Sequence, residues 1–194
     1  MTRSKSIGII ILAAGGSTRF GSPKQLFKYQ GESLIRRAAK AAISCGSGPV
    51  IVSTGAETIE PELSGLHVIP VFNERSATGM ASSLTSGLQY LTSTSNEIDA
   101  IIFMLCDQPL IDGNKLDRLI TAYETAHAPI VAAEYNGTLG APALFDRSMF
   151  GELMRLTGDE GARSIIRKNV DRVARVPMPE AAFDIDSASD IDEK

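Results

Sequence analysis

The sequence is poor in the residues that staple or metallate small domains. Its two cysteines, Cys45 and Cys106, stand far apart and in no CxxC pattern, which argues against a disulfide scaffold or a zinc site and fits a reducing compartment. Positive charge is not in surplus either. The formal net charge is -4, whereas general nucleic-acid binding needs a basic face to displace counterions from phosphates. Nucleotide binding stays open, because a local cluster of Arg, Lys and backbone N–H groups suffices for it. No apolar run reaches the length of a membrane span. Arg3 and Lys5 ahead of Ile7–Leu12 read briefly like a signal peptide, but that stretch ends in a Gly-rich loop with Arg19 and Lys24. It reads better as a first core strand, and the expected location is the cytoplasm. There is no internal repeat, low-complexity tract or obvious linker. The two histidines, His67 and His127, are isolated, which favours structural or solvated roles over metal binding.

What the chain does have is a soluble, globular composition, 43% hydrophobic and 22% charged over 194 residues, enough for one domain spanning 1–194. Short apolar runs alternate with helical patterns. Ile7–Ala13, Val50–Ser53, His67–Phe72, Ile98–Leu105 and Pro129–Ala133 read as strands. Glu32–Cys45, Ser82–Leu91 and Asn114–Ala126 carry apolar residues at helical spacing, the first ending at Gly46. The last third is less regular: a strand at Ala143–Phe145, helices over Arg147–Leu156 and Gly161–Lys168, and a strand at Arg172–Pro177. This alternation predicts a three-layer α/β domain with a mostly parallel sheet, the tail adding an antiparallel element.

The loop after the first strand carries most of the chemistry. Ligands in open α/β sheets sit outside the carboxyl ends of strands. Ala13, Ala14, Gly15 and Gly16 leave little bulk, so backbone N–H groups can approach a phosphate closely. Arg19 can bond phosphate oxygens, and Lys24 adds a second positive charge after the turn at Ser22-Pro23. The spacing is neither a Walker A loop nor GxGxxG, which counts against an ATPase or an NAD-dependent oxidoreductase.

The apolar run Ile101–Leu105 ends in Cys106-Asp107-Gln108-Pro109, setting a carboxylate at the sheet's carboxyl edge. A magnesium ion needs only one or two such carboxylates, with phosphate oxygens and waters. An isolated turn aspartate is the plainer alternative. Further along, Ser82 and Ser83 can cap a helix whose N-terminus would suit a ligand's polar edge. Gly158 and Gly161 permit a tight turn, Asp159 can cap the helix that follows, and Arg163 can reach an acceptor phosphate or pair with a surface acid. On a strand Asp184 and Asp186 face one side, and either can complete a metal site with Asp107. Glu57, Glu60 and Glu62 read as a solvated acidic stretch, and Cys106 as a small packing residue.

Several of these strings resemble one family. LAAGGSTRFGSPKQL is similar to the LAAGxSxRMGxxKxL signature of the MobA-like nucleotidyltransferases, with Phe20 where Met is usual. CDQP resembles the GDQP motif of the branch that includes molybdenum cofactor cytidylyltransferase, with Cys106 for Gly. Asn73–Leu84, Gly140-Ala141-Pro142, LTGDEGAR (156–163) and FDIDSASDI (183–191) are similar to further family segments. The resemblance implies a Rossmann-like nucleotidyltransferase that moves CMP from CTP onto molybdopterin, with Mg2+ as cofactor. It implies Lys24, Arg19 and Asp107 as catalytic residues and Leu12, Ala13, Ala14, Gly15, Gly16, Ser17, Asn73, Gly79 and Ser83 as further nucleotide contacts. Gly140, Pro142, Asp159 and Arg163 would meet the acceptor, and Asp107 with Asp186 the metal. LAAG rather than LAGG leans towards cytidine over guanosine. A sugar or alcohol phosphate is a rival acceptor, and a noncatalytic factor serving a molybdenum hydroxylase a rival role.

Overall fold

The computed structural model describes residues 5–13, 23–56, 58–95 and 97–186. Among them are nine strands: β1 (Ser6–Leu12), β2 (Lys28–Tyr29), β3 (Glu32–Ser33), β4 (Val50–Thr54), β5 (Ile69–Phe72), β6 (Ile98–Leu105), β7 (Ile130–Tyr135), β8 (Thr138–Asp146) and β9 (Val173–Pro177). The α-helices are α1 (Leu34–Cys45), α2 (Glu60–Leu63), α3 (Met80–Thr94), α4 (Gly113–Ala126), α5 (Phe150–Leu153) and α6 (Ala162–Lys168).

Seven strands form one mixed sheet in the order β5-β4-β1-β6-β8-β7-β9, and β2 and β3 make a separate small hairpin. β1 is buried along its Ile run because it lies in the interior of the sheet, parallel to β4 on one side and β6 on the other. Register pairs Leu12 with Leu105, so β1 and β6 end side by side. β8 is antiparallel to both neighbours, β6 and β7, and β9 is parallel to β7. β8 alone therefore runs against the other six. The antiparallel element lies inside the sheet rather than on one side of it.

Helices cover both faces. On one, Ile35, Ala38 and Ala39 of α1 and Leu116, Leu119 and Tyr123 of α4 pack on Ile9, Ile11 and Ile102. On the other, Leu84 and Leu88 of α3, Leu153 of α5 and Ile165 and Ile166 of α6 pack on Ile10, Phe103 and Phe145. Local chemistry sets the boundaries. Ser33 Oγ accepts the Arg36 N–H at the start of α1, and Gly46 closes it at φ 62°, a left-handed position that suits glycine. Asp112 caps α4 by accepting the Lys115 N–H at 3.1 Å.

Three expectations need correction. The helix read over Arg147–Leu156 is a 3-10 turn, Arg147–Met149, followed by the single turn of α5, after which the Arg155 and Leu156 N–H groups turn back to the Glu152 and Leu153 carbonyls and end the α-helical ladder. The strand at Ala143–Phe145 extends to nine residues. The acidic stretch is not simply solvated: Glu60 and Glu62 lie in the first turn of α2, and Ser33 Oγ donates to Glu62 at 2.6 Å. Glu57 lies outside the described residues.

Candidate active site

The strand ends determine where the site can be. β1, β4, β5 and β6 all finish at one edge, and reversed β8 begins there. Asp107 follows β6 at this edge, and Lys24 opens the short 3-10 turn Lys24–Leu26 on the far side of the loop that leaves β1. Lys24 Nζ donates to Asp107 Oδ2 at 2.8 Å and to Asp186 Oδ1 at 2.8 Å. Burial pushes the ammonium down, but the hydrogen bonds and charges of the two aspartates outweigh it, and its pKa stands above the usual lysine value. Asp186 is the more open carboxylate, with a side chain 67% exposed against 22% for Asp107.

Asp186 reaches this point on a strap. After β9 a 3-10 turn, Pro179–Ala182, sends the chain back across the sheet edge, and Ile185 N–H donates to the Asp107 carbonyl at 3.0 Å. Ile185 is fully buried, and the Tyr29 ring lies 6.2 Å from that of Phe183. Residues 183–186 are not a strand, so the period-two expectation fails: Asp186 meets Lys24 while Asp184 lines a neighbouring cavity. Burial, then the charges of Asp186 and Asp107, raise the Asp184 carboxyl above the ordinary range.

Two glutamines hold this arrangement and escaped the sequence reading. Gln108 Nε2 donates to the carbonyls of Ala141 at 3.1 Å and Ala181 at 2.8 Å, tying the β6 turn to β8 and to the strap. Gln25 Nε2 donates to the Ala13 carbonyl, which fixes the two ends of the first loop together. Their only signal was an amide beside a charged candidate, too common to stand out.

Around Lys24 lies a cleft of about 450 Å³, lined by Leu12, Gly79, Ser83, Cys106, Asp107 and Asp159 among others. Burial raises the Cys106 thiol far above its usual pKa, which keeps it an uncharged wall residue. Asn73 does not line the cleft. Its amide donates to Ser82 Oγ at 2.8 Å and Ser83 Oγ at 3.1 Å, holding the start of α3. The serine caps expected there are absent: Gly79 is the N-cap residue, and the Ala81 N–H donates to the Gly158 carbonyl instead. Gly79 sits at φ 114°, and a Cβ there would overlap the Gly158 carbonyl and meet Asp159 Oδ1 at 2.7 Å. Asp159 likewise does not cap α6, whose N-cap is Gly161 without a side-chain bond.

A second cavity of about 640 Å³ adjoins the first and shares Leu12, Met80, Leu105 and Asp159 with it. Phe103, Ala143, Leu84 and Ile166 give it an apolar floor, and Arg163 stands in its wall. Arg163 Nε donates to the Leu139 carbonyl at 3.3 Å and Nη2 lies 3.5 Å from Tyr135 Oη, and no acid among the described residues pairs with it. Gly140 and Pro142 line neither space. Gly140 acts by lacking a Cβ, which would collide with the Tyr135 hydroxyl, and Pro142 is buried. Ala13 is buried beside β4, its N–H on the Ser53 carbonyl. Ala14, Gly15, Gly16, Ser17 and Arg19 lie outside the described residues.

The donors present suit a hard divalent cation. Asp107 Oδ1 is buried with no hydrogen-bond partner among the described residues, and the Asp186 carboxylate shares an ammonium with Asp107. No group of three His, Cys, Asp or Glu side chains gathers among the described residues, so a bound ion would draw further ligands from phosphate oxygens and water. No described helix is long and apolar enough to cross a membrane.

Known proteins share this architecture. The chain is 28% identical over 167 residues to purine catabolism protein PucB of Bacillus subtilis, covering 81% of this chain and 79% of that one. It is 28% identical over 147 residues to a probable molybdenum cofactor guanylyltransferase of Bacillus cereus, covering 69% and 70%. The crystal structure of Rv0371c from Mycobacterium tuberculosis superposes with a TM-score of 0.78 at 28% identity over 96% of both chains. That protein has also been crystallised with manganese, a structure matching at TM-score 0.69 and 25% identity over 91% and 90% of the chains. Residues 9–173 match the family model for the MobA-like NTP transferase domain. With its mixed sheet, its lysine between two carboxylates and this match, the chain belongs to the MobA-like NTP transferase family of nucleotidyltransferases.

Proposed function

We propose that the protein transfers CMP from CTP onto the phosphate of a molybdopterin-type acceptor, with Mg2+, and releases pyrophosphate. The observation that supports this best is Lys24, held between Asp107 and Asp186 on the wall of one cleft that opens into a second. One space suits a nucleotide and the other an acceptor, with the reacting atoms at the wall between them. An acceptor phosphate oxygen attacks the α-phosphorus, a new P–O bond forms, and the bond to the pyrophosphate oxygen breaks. The nucleophile is already ionised, so no general base is needed. Positioning and charge stabilisation dominate.

In this reading Lys24 turns from the carboxylates to the α-phosphate, and Arg19 with the backbone of Leu12 to Ser17 holds the triphosphate. Asn73, Gly79 and Ser83 shape the nucleotide side. Asp159 and Arg163 serve the acceptor, with Gly140 and Pro142 supporting that wall. A divalent cation held by Asp107 and Asp186 would neutralise phosphate charge. The manganese-bound neighbour supports a divalent metal at such a fold. The protein acts in the cytoplasm as one domain and supplies a molybdenum hydroxylase. The guanylyltransferase relative favours a second reading in which GTP replaces CTP.

Pyrophosphate release with Mg2+ and molybdenum-loaded pterin cofactor, compared across CTP, GTP, ATP and UTP, tests the proposal. Release with CTP alone is expected. Preference for GTP would keep the class and change the base, and release with none would exclude this acceptor.

A further inference from the structure

The larger cavity is lined by two arginines of α6, of which the proposed reaction assigns a role only to Arg163. α6 runs from the carboxyl edge of the sheet down over the face of β8, with Ile165 and Ile166 buried beneath it. Arg163 and Arg167 lie one turn apart on this helix, four residues being the spacing that stacks side chains on one face. Both line the 640 Å³ cavity and both are exposed. Like charges at this spacing repel. Arg163 is steadied by the Leu139 carbonyl and lies near Tyr135 Oη, while the Arg167 guanidinium has no hydrogen bond or ion pair among the described residues. The acids lining the cavity, Asp159, Glu160 and Asp184, make no ion pair with either guanidinium.

Position separates this pair from the reacting centre. The wall common to both spaces is Leu12, Met80, Leu105 and Asp159, and Arg167 lines only the cavity on the acceptor side. It stands a helical turn further from the edge than Arg163. An acceptor whose phosphate reacts at the common wall would extend past the apolar floor of Phe103, Ala143 and Ile166 towards this pair. We infer that Arg163 and Arg167 form an anion clamp for a second acidic group of the acceptor, remote from the phosphate that reacts, and that Arg167 is a specificity-determining residue. Guanidinium forks suit phosphate, carboxylate or other multi-oxygen anions, and their geometry favours two-point contact. The inference rests on the two-site reading above for what the clamp recognises, but not for whether it binds an anion.

The test uses the full chain, saturated with a nonhydrolysable CTP analogue and Mg2+, and titrates inorganic phosphate by calorimetry. Wild-type protein should show one saturable phosphate site. Arg167→Gln should weaken it about tenfold or more, the loss of one charged hydrogen-bonded contact, and Arg167→Lys should restore part of it. Affinity for the nucleotide analogue should be unchanged in both variants. In turnover, Arg167→Gln should raise the acceptor KM with kcat and nucleotide KM unaltered. No saturable phosphate site, or one indifferent to Arg167→Gln, would overturn the clamp even if CMP transfer proceeds normally. Conversely, an Arg167-sensitive phosphate site in a protein that transfers to no pterin would keep the clamp and discard that acceptor.

Discussion

At the scale of single residues, the arrangement around Lys24 has direct consequences. Its ammonium meets two carboxylates, so its removal takes away the positive charge that Asp107 and Asp186 share. The side chain is peripheral to the core, and Lys24→Ala should therefore keep its circular dichroism spectrum. Its kcat should fall about 10²–10³-fold, the scale of losing one preorganised charge-stabilising donor. Unchanged turnover would remove Lys24 from the chemistry. Asp107→Asn should lose at least about tenfold in Mn2+ affinity, read by electron paramagnetic resonance, because one oxygen ligand is exchanged for a neutral amide. Equal affinity in the variant would place the ion elsewhere. Lys24 and Asp107 were legible in the sequence because each closes a local pattern, a small-residue loop and an apolar strand. The role of Gln108 was not, since its two carbonyl partners lie 33 and 73 residues away. Nor could alternation along a strand decide between Asp184 and Asp186, because the segment that carries them crosses the sheet edge instead of joining it.

At the scale of elements, caps and periodicity account for most boundaries. α4 begins where Asp112 accepts the Lys115 N–H, and Lys115 Nζ adds an ion pair at 2.9 Å. Burial opposes ionisation of Asp112, but the bonds and charge of Lys115 together prevail and its pKa lies below the ordinary value of 3.8. A carboxyl with a lowered folded pKa contributes stability that is present above its unfolded pKa and lost as pH falls through the folded one. Asp112→Ala should therefore cost about 1 kcal/mol at neutral pH, measured by urea unfolding, with the difference shrinking as pH falls below 3.8. A pH-independent difference would assign the effect to something other than the charge. Long amphipathic helices such as α1 and α4 were readable because their stripes repeat several times. The hairpin of β2 and β3 was not, with two residues per strand and no alternation to detect. β8 was underestimated for another reason: Thr138–Pro142 holds one large apolar residue, and its strand character comes from pairing with β7.

At the scale of the whole molecule, one sheet carries both clefts, and two large clusters of buried residues lie on its faces. If residues 1–194 act as one domain, circular dichroism and intrinsic tyrosine fluorescence should report a single coincident unfolding transition in urea. Two separated midpoints would divide the chain. The direction of β8 has a further consequence, for where the chain tolerates being lengthened. Because the reversed strand starts where its neighbours end, candidate residues from both halves of the sheet gather on one rim, and connections such as His127–Pro129 lie on the opposite one. A Gly/Ser insertion of about ten residues between His127 and Ala128, in an exposed connection, should leave both substrates' KM values intact. The same insertion at Asn136–Gly137, the turn leading into β8 beside Tyr135, should raise the acceptor KM and spare the nucleotide's. The rim away from the clefts is thus the natural place to graft a tag, a tether or a reporter.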